Sequence, residues 1–171
     1  PAEGEFNGNF TTSYGANNGL IASSLMLQGN DNGFVYRGRA SYKNAYGYRY
    51  KGFNVPNSGF NETNFSGMLG LNKAWGYAHL NLSRFNTNVG LVEEGPDENG
   101  SYFDEDGNVI SNRDARKRDI TLPFQNINHY RAALNSNILL GGGQLKSTLA
   151  LEGTNACSIF ISAFLFINKS I

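Results

Sequence analysis

The chain has 171 residues, with 14 basic and 14 acidic side chains and no net charge, which excludes a general nucleic-acid binder because those carry a basic excess. Only 16% of the residues are charged, against about 25% in a typical soluble domain, while 13% are aromatic and 21 are Gly. No stretch carries a 3.6-residue apolar stripe or the roughly 18 apolar residues of a membrane helix, so the class is all-β.

In chain order, Phe6, Gly8, Phe10, Thr12 and Tyr14 alternate with Asn7, Asn9, Thr11 and Ser13, the period of two that marks a strand. Asn17-Asn18-Gly19 supplies residues that tolerate positive φ for a turn. A second strand spans residues 20–28, with Ile21, Leu25 and Leu27 on one face, and a turn follows at 30–33. The third, 34–43, puts Phe34, Tyr36, Gly38, Ala40 and Tyr42 opposite Arg37, Arg39 and Lys43. Such cations suit a hydrated lumen and are costly against lipid.

An irregular connection, 45–60, leads into a long hairpin over 61–91 with its turn at KAWG. Phe65, Leu69, Leu71, Ala78, Leu80 and Leu82 form its apolar face; Asn64, Ser66, His79, Asn81 and Ser83 form an uncharged polar one. Trp75 and Tyr77 flank the turn, where an aromatic girdle is expected. A longer connection, 92–125, precedes strands at 128–140 and 145–152, joined by Gly141-Gly142-Gly143.

From residue 29 onward the connections alternate short, long, short, long, short. In an up-and-down meander alternate connections emerge at opposite ends, so tight turns gather at one end and long loops at the other, as in outer-membrane barrels. The expected fold is therefore an antiparallel up-and-down transmembrane β-barrel segment of about seven long strands, covering residues 3–155. The tail 156–171 is apolar on both faces and reads as an eighth strand, a short hydrophobic helix or read-through foreign to the fold, the last being preferred. PAEGEF lacks the apolar run of a signal peptide, so the chain is expected to be mature or a piece. The lone Cys157 makes no internal disulfide.

Few residues suggest chemistry. Asp104-Glu105-Asp106-Gly107-Asn108 lacks EF-hand ligand spacing and reads as a hairpin turn. Arg113, Arg116, Lys117 and Arg118 read as a solvated or lipopolysaccharide-facing surface. His79 and His129 have no partner at metal spacing, and no nucleophile–base constellation stands out, so no metal, cofactor or enzyme activity is expected. Tyr48, Arg49, Tyr50 and Tyr102 are the ligand-facing loop candidates, since aromatic and Arg side chains dominate binding hot spots; loop packing is the plainer role.

GFNETNFSGMLGLNKAWGYAHLNLSRFNTNVGLVE (59–93), Asn32-Gly33-Phe34 opening a strand, and PFQNINHYRAAL (123–134) before a Gly turn and the strand from Gln144 together resemble the early barrel strands of TonB-dependent outer-membrane receptors of the Bacteroidetes type. The resemblance spans about residues 3–153. It implies a barrel of roughly twenty-two strands closed by a plug domain, lodged in outer-membrane lipid and lipopolysaccharide. Such a receptor draws energy from the TonB complex through the plug, which this chain lacks, and imports an extracellular nutrient such as a ferric siderophore. The chain then reads as a fragment of such a receptor. A self-contained eight-stranded membrane barrel and a soluble β-sandwich or lipocalin-like binding module share the same alternation.

Overall fold

The computed structural model describes residues 1–104, 106–154 and, as backbone alone, 160–169. Eight long strands form one antiparallel meander: β1 (Phe6–Gly15), β2 (Leu20–Asp31), β3 (Phe34–Ala45), β6 (Phe60–Lys73), β7 (Gly76–Gly90), β8 (Phe124–Leu140), β9 (Gly143–Thr154) and β10 (Phe160–Lys169). A separate two-stranded hairpin, β4 (Arg49–Tyr50) with β5 (Phe53–Asn54), lies in the first long loop. The described part of the apolar tail is thus a strand paired with β9, which rules out the helical expectation for residues 160–169; residues 155–159, with Cys157, lie outside the described residues. Among the described residues β1 and β10 do not pair with each other, so the sheet is open.

The short turns obey backbone chemistry. At Asn32-Gly33 both tip residues have positive φ, +48° and +75°, the requirement of a type I′ hairpin. Asn and Gly are the residues that tolerate it. Ala74-Trp75 and Gly141-Gly142 form the other two short turns, and all three lie at one end of the sheet. Loops 46–59 and 91–123 lie at the opposite end, together with the 16–19 connection. The parity read from loop lengths is therefore the observed one.

Cross-strand partners share a face, so the register defines the two surfaces. One row runs Phe6, Gly29, Tyr36, Leu69, Leu80, Leu134, Leu149, and the next runs Gly8, Leu27, Gly38, Gly67, Leu82, Ala132, Leu151. The opposite face carries Asn7, Gln28, Arg37, Met68, His79, Asn81, Arg131 and Glu152. The apolar face is uncovered: Phe65 is 54% exposed, Leu69 52%, Leu80 38% and Leu82 48%. Among the described residues, the buried apolar side chains on the long strands are Val35 and Ala133, both on the polar face, and Ala45 at a loop boundary. The sheet curls toward that polar face around a hollow of about 510 Å³ lined by Arg37, Ser66, Met68, His79, Asn81 and Arg131.

The apolar band does not follow the hydrogen-bonded rows. The row through Tyr14 continues as Ile21, Asn44, Asn61, Asn88 and Asn126, passing from apolar to amide across the sheet. At the other end, β8 and β9 add Ile138 opposite Leu145, a row beyond Phe34 and Leu71. The short turns step the same way. They close at Asp31 opposite Phe34, Lys73 opposite Gly76 and Leu140 opposite Gly143, each two residues farther out than the one before, because Phe34 pairs with Leu71 and Gly76 with Ile138.

One sequence expectation is corrected. Tyr77 pairs with Asn72 on the polar face and stacks on His79 with ring centroids 4.8 Å apart, so it forms no outward girdle; strand parity, fixed by the tight Ala74-Trp75 turn, places it there. Phe34 instead occupies the outward position at this end, with Tyr36 at 5.9 Å.

Gly33 and Gly52 separate two costs of a side chain at positive φ. A Cβ at Gly33 would lie 2.1 Å from the Asn72 carbonyl oxygen, whereas at Gly52 (φ +88°) nothing lies within 4 Å. Gly52→Ala is expected to cost roughly 1 kcal/mol of backbone strain, and Gly33→Ala more than that, with loss of the Asn72 N–H to Gly33 carbonyl bond (2.7 Å). Equilibrium unfolding of both variants checks the order.

Candidate binding surface at the loop rim

The loop end holds the chain's small packed core. Pro56-Asn57 and Lys51-Gly52 break the first long loop into tight turns; Lys51, Gly52 and Asn57 have positive φ. The β4–β5 hairpin is anchored by Asn54, which is fully buried. Its side-chain amide donates to the Gly47 carbonyl (2.8 Å), and its backbone N–H donates to Asn112 Oδ1 (2.9 Å) from the second long loop. Asn57 ties the base of that second loop: its amide donates to the carbonyls of Leu91 (3.1 Å) and Pro123 (2.8 Å), and its Oδ1 accepts from the Thr121 N–H (3.1 Å).

Arg118 joins three loops. Its guanidinium donates to the Asn44 carbonyl (2.9 Å), to Asn44 Oδ1 and to the Gly19 carbonyl. It lies 5.5 Å from the centroid of Tyr46, and Arg116 lies 5.2 Å from the same ring. Tyr46 is buried, and its N–H donates to the Asn18 carbonyl (3.1 Å). The basic set expected to face solvent or lipopolysaccharide is therefore split. Arg118, half-buried, turns onto the Asn44 and Gly19 carbonyls and the Tyr46 ring, which offer it better partners than water, while Arg113, Arg116 and Lys117 stay exposed, Arg116 donating to the Tyr46 hydroxyl at 3.2 Å and Lys117 pairing with Asp114 at 2.8 Å.

The ligand-facing candidates come together here with different exposures. Tyr48 and Tyr50 are exposed, as is Arg49. Lys51, at the hairpin tip, lies 5.3 Å from the Tyr50 centroid. Tyr102 is 8% exposed and stacks on Phe53 at 5.7 Å. Burial pushes its hydroxyl's pKa up, reinforced by neighbouring Tyr48 and Tyr50. Tyr102 thus packs the floor of a rim that presents Tyr48, Arg49, Tyr50 and Lys51, two phenols and two cations suited to planar or anionic groups.

The acidic loop is a hairpin turn. Phe103 bridges to Val109, and Asp104 accepts from the N–H groups of Asp106 (3.1 Å) and Asn108 (2.7 Å). Those N–H groups hold the Asp104 carboxyl below its ordinary range. On the concave face Arg37 donates to Gln28 Oε1 (2.9 Å), Arg131 pairs with Glu152 (2.9 Å), Lys43 pairs with Glu62 (2.8 Å), and His79 bonds Asn72 (2.7 Å).

Sequence reasoning missed Asn54 and Asn57 and put Arg118 on the solvated surface, because their partners lie as much as 99 residues away. The Pro56-Asn57 turn was the one local signal available. Comparison of the chain with protein-family models, with curated proteins and with solved structures finds no match.

Arg118→Met should release the second long loop from the rim, removing charge-assisted bonds worth roughly 1.5–3 kcal/mol. Hydrogen exchange should then speed up at Tyr46 and Asn54 while staying unchanged at Leu69 and Leu80. A depressed carboxyl contributes order above its unfolded pKa and loses it as pH falls through the folded one. The amide signals of Asp106 and Asn108 should therefore move together at a pH below the ordinary carboxylate range, and Asp104→Asn should abolish that titration.

Proposed function

We propose that this chain is part of the membrane wall and outer rim of an outer-membrane β-barrel receptor of the TonB-dependent kind, through which an extracellular nutrient complex is taken up. The observation that carries the reading is the oblique, uncovered apolar band. Two residues of advance per pair of strands, at about 3.4 Å per residue and 4.8 Å between strands, inclines the line of turn tips by about 35° to the perpendicular of the strands. The apolar band leans the same way. A planar slab of hydrocarbon crossing strands tilted by 35–45°, as in outer-membrane barrels, requires that lean.

In this reading the polar face, with Arg37, Arg39, Arg131 and their amide and acid partners, meets the wet interior. The rim bearing Tyr48, Arg49, Tyr50 and Lys51 faces outward toward the ligand. The unpaired edge of β1 continues into further strands of a larger barrel, because an open edge in lipid leaves backbone groups without partners. The plug and its TonB contact belong to a part of the receptor outside these residues.

The count of eight long strands favours one other reading, a small closed barrel acting in adhesion. That reading requires β1 to pair with β10, and refolding the chain alone in detergent should then give heat-modifiable gel migration. A wall segment gives none.

Trp placed singly in a Trp75→Phe background, in the complete barrel of which this reading makes these strands a part, reconstituted with brominated lipid, tests the membrane reading. Quenching should be strong at positions 69 and 80 and weak at 68 and 81. It should also be stronger at 14 than at 88, although both lie in one row. Leu80→Arg should cost roughly 2–4 kcal/mol in lipid and Asn88→Arg roughly 0–1. Uniform quenching with equal costs would refute it.

A further inference from the structure

The residues ahead of β1 form a strap across the short-turn end of the sheet. Ala2 to Glu5 is a reverse turn: the Glu5 N–H donates to the Ala2 carbonyl (3.1 Å), and Gly4 has φ +71°, as the third position of a type II turn requires. Asn30, on the polar face opposite Val35, ties the strap to β2. Its backbone N–H donates to the Glu5 carbonyl (3.0 Å), its carbonyl accepts from the Gly4 N–H (2.9 Å), and its side-chain amide donates to the Pro1 carbonyl (3.3 Å).

Glu3 stands at the corner of that turn and reaches the tip of the β2–β3 hairpin. Its carboxylate accepts from the N–H groups of both tip residues, Asn32 and Gly33, the latter at 3.1 Å. A two-residue turn leaves its tip N–H groups outside the ladder, and one carboxylate has the two oxygens to hold both. The tip carbonyls are taken by the next hairpin: the Asn72 N–H donates to the Gly33 carbonyl (2.7 Å), and the Lys73 ammonium donates to that of Asn32. The two tips meet without slack, since a Cβ on Gly33 would lie 2.1 Å from the Asn72 carbonyl oxygen. From Asn72 the contacts pass to the concave face. Its Oδ1 bonds His79 Nε2 (2.7 Å), and the imidazole lies against the Tyr77 ring and against Gly70, where a Cβ would meet it at 2.3 Å. His79 in turn lines the hollow of about 510 Å³.

The contact is placed where it can open. Glu3, Asn32, Asn72 and Lys73 are all exposed, and exposed charged contacts are weak. A space of about 470 Å³ beside Glu3, Lys73 and Ala74 gives the carboxylate room to leave. We propose that the strap is a relay: the Glu3 carboxylate latches the segment entering β1 to the turn tip, and its release moves Asn72 and with it the His79 imidazole in the hollow. Coupling is reciprocal, so an occupant of the hollow that displaces His79 loosens the strap. The relay stands on these contacts and the register alone, and goes beyond the membrane reading.

The test uses the complete barrel protein that carries these strands, folded in detergent micelles, with isotopically labelled histidine and the His79 signal assigned by its loss in His79→Ala. Glu3→Gln should speed amide exchange at Gly4, Asn32 and Gly33 by up to about fivefold, the worth of an exposed charged contact, and should move the His79 signal. His129, on the same face but paired with Phe85 and Thr154, should stay in place. In an Asn72→Ala background, Glu3→Gln should leave His79 where Asn72→Ala alone puts it. His79→Ala should in turn speed exchange at Asn32 and Gly33. The relay is overturned by a His79 signal that Glu3→Gln does not move, by an equal movement in the Asn72→Ala background, or by unchanged exchange in His79→Ala. Equal movement of His129 would mean a general loosening of the sheet and overturns it too. Strand content by circular dichroism confirms that each variant is folded. Lipid quenching at positions 69 and 80 decides the membrane reading separately, and either result there leaves the histidine measurement in force.

Discussion

An apolar surface that none of the described residues covers is the constraint behind the rest of the structure. Burying one large apolar side chain is worth roughly 1.5–3 kcal/mol, and here Phe6, Phe10, Phe65, Leu69, Leu80, Leu82, Leu134, Leu149 and Leu151 are among the side chains of one face that keep much of their surface open. In water such a face would collapse on itself or aggregate. A soluble sandwich solves the problem by packing a second sheet on the first. The described residues outside the long strands form turns and loops, and among them nothing packs over the apolar rows, Arg118 lying against Asn44 where that face meets the loops. In the membrane reading proposed above, that side meets hydrocarbon, and the backbone then has to satisfy itself strand to strand.

The same reasoning explains where the packed core lies. Tyr46, Val55, Tyr102 and Ala115 are buried among loops, where the chain leaves regular pairing and must secure its backbone groups otherwise. Asn54, Asn57 and Arg118 do that work through side-chain bonds to carbonyls and N–H groups. The rim is thereby stiffened from within, and its exposed tyrosines and cations are held on a fixed platform. The closeness of Tyr46 to Gly19, where a Cβ would meet the ring at 1.9 Å, shows how the first connection joins that platform.

Much of the sheet was legible in the sequence, because alternation is a backbone property that each strand writes locally. Phe65 to Leu71 and Ala78 to Leu82 fell on the face the alternation assigns them, and connection lengths alone gave the end of the sheet on which each loop lies. Strand ends were read two to four residues short, as at Asn128 for an observed start at Phe124, since polar Asn-rich ends resemble loop. The outward place expected for Tyr77 failed on parity. The loop rim was hardly legible at all. Tyr48, Arg49 and Tyr50 are exposed as expected of contact residues, but Tyr102, equivalent to them in composition, is stacked on Phe53 of a hairpin distant in sequence, and the docking of Arg118 depends on Tyr46, Asn44 and Gly19. Interactions at that separation leave no period in the sequence.

In the membrane reading, the abundance of Asn and Gly follows from the obliquity of the band. Where strands cross a slab at an angle, each strand enters and leaves hydrocarbon at a different residue, so a single row must be apolar on one strand and polar on another. On that reading, the passage from Tyr14 and Ile21 to Asn61, Asn88 and Asn126 along one row is that crossing. Asn suits the far side because it bonds its cross-strand neighbour without adding charge near the boundary. Glycines let rings from the adjacent strand lie flat across them on the band itself, as Tyr36 does over Gly29 and Tyr130 over Gly153. A composition that looks merely odd for a soluble domain is thus the one required when a tilted sheet has to meet a planar boundary.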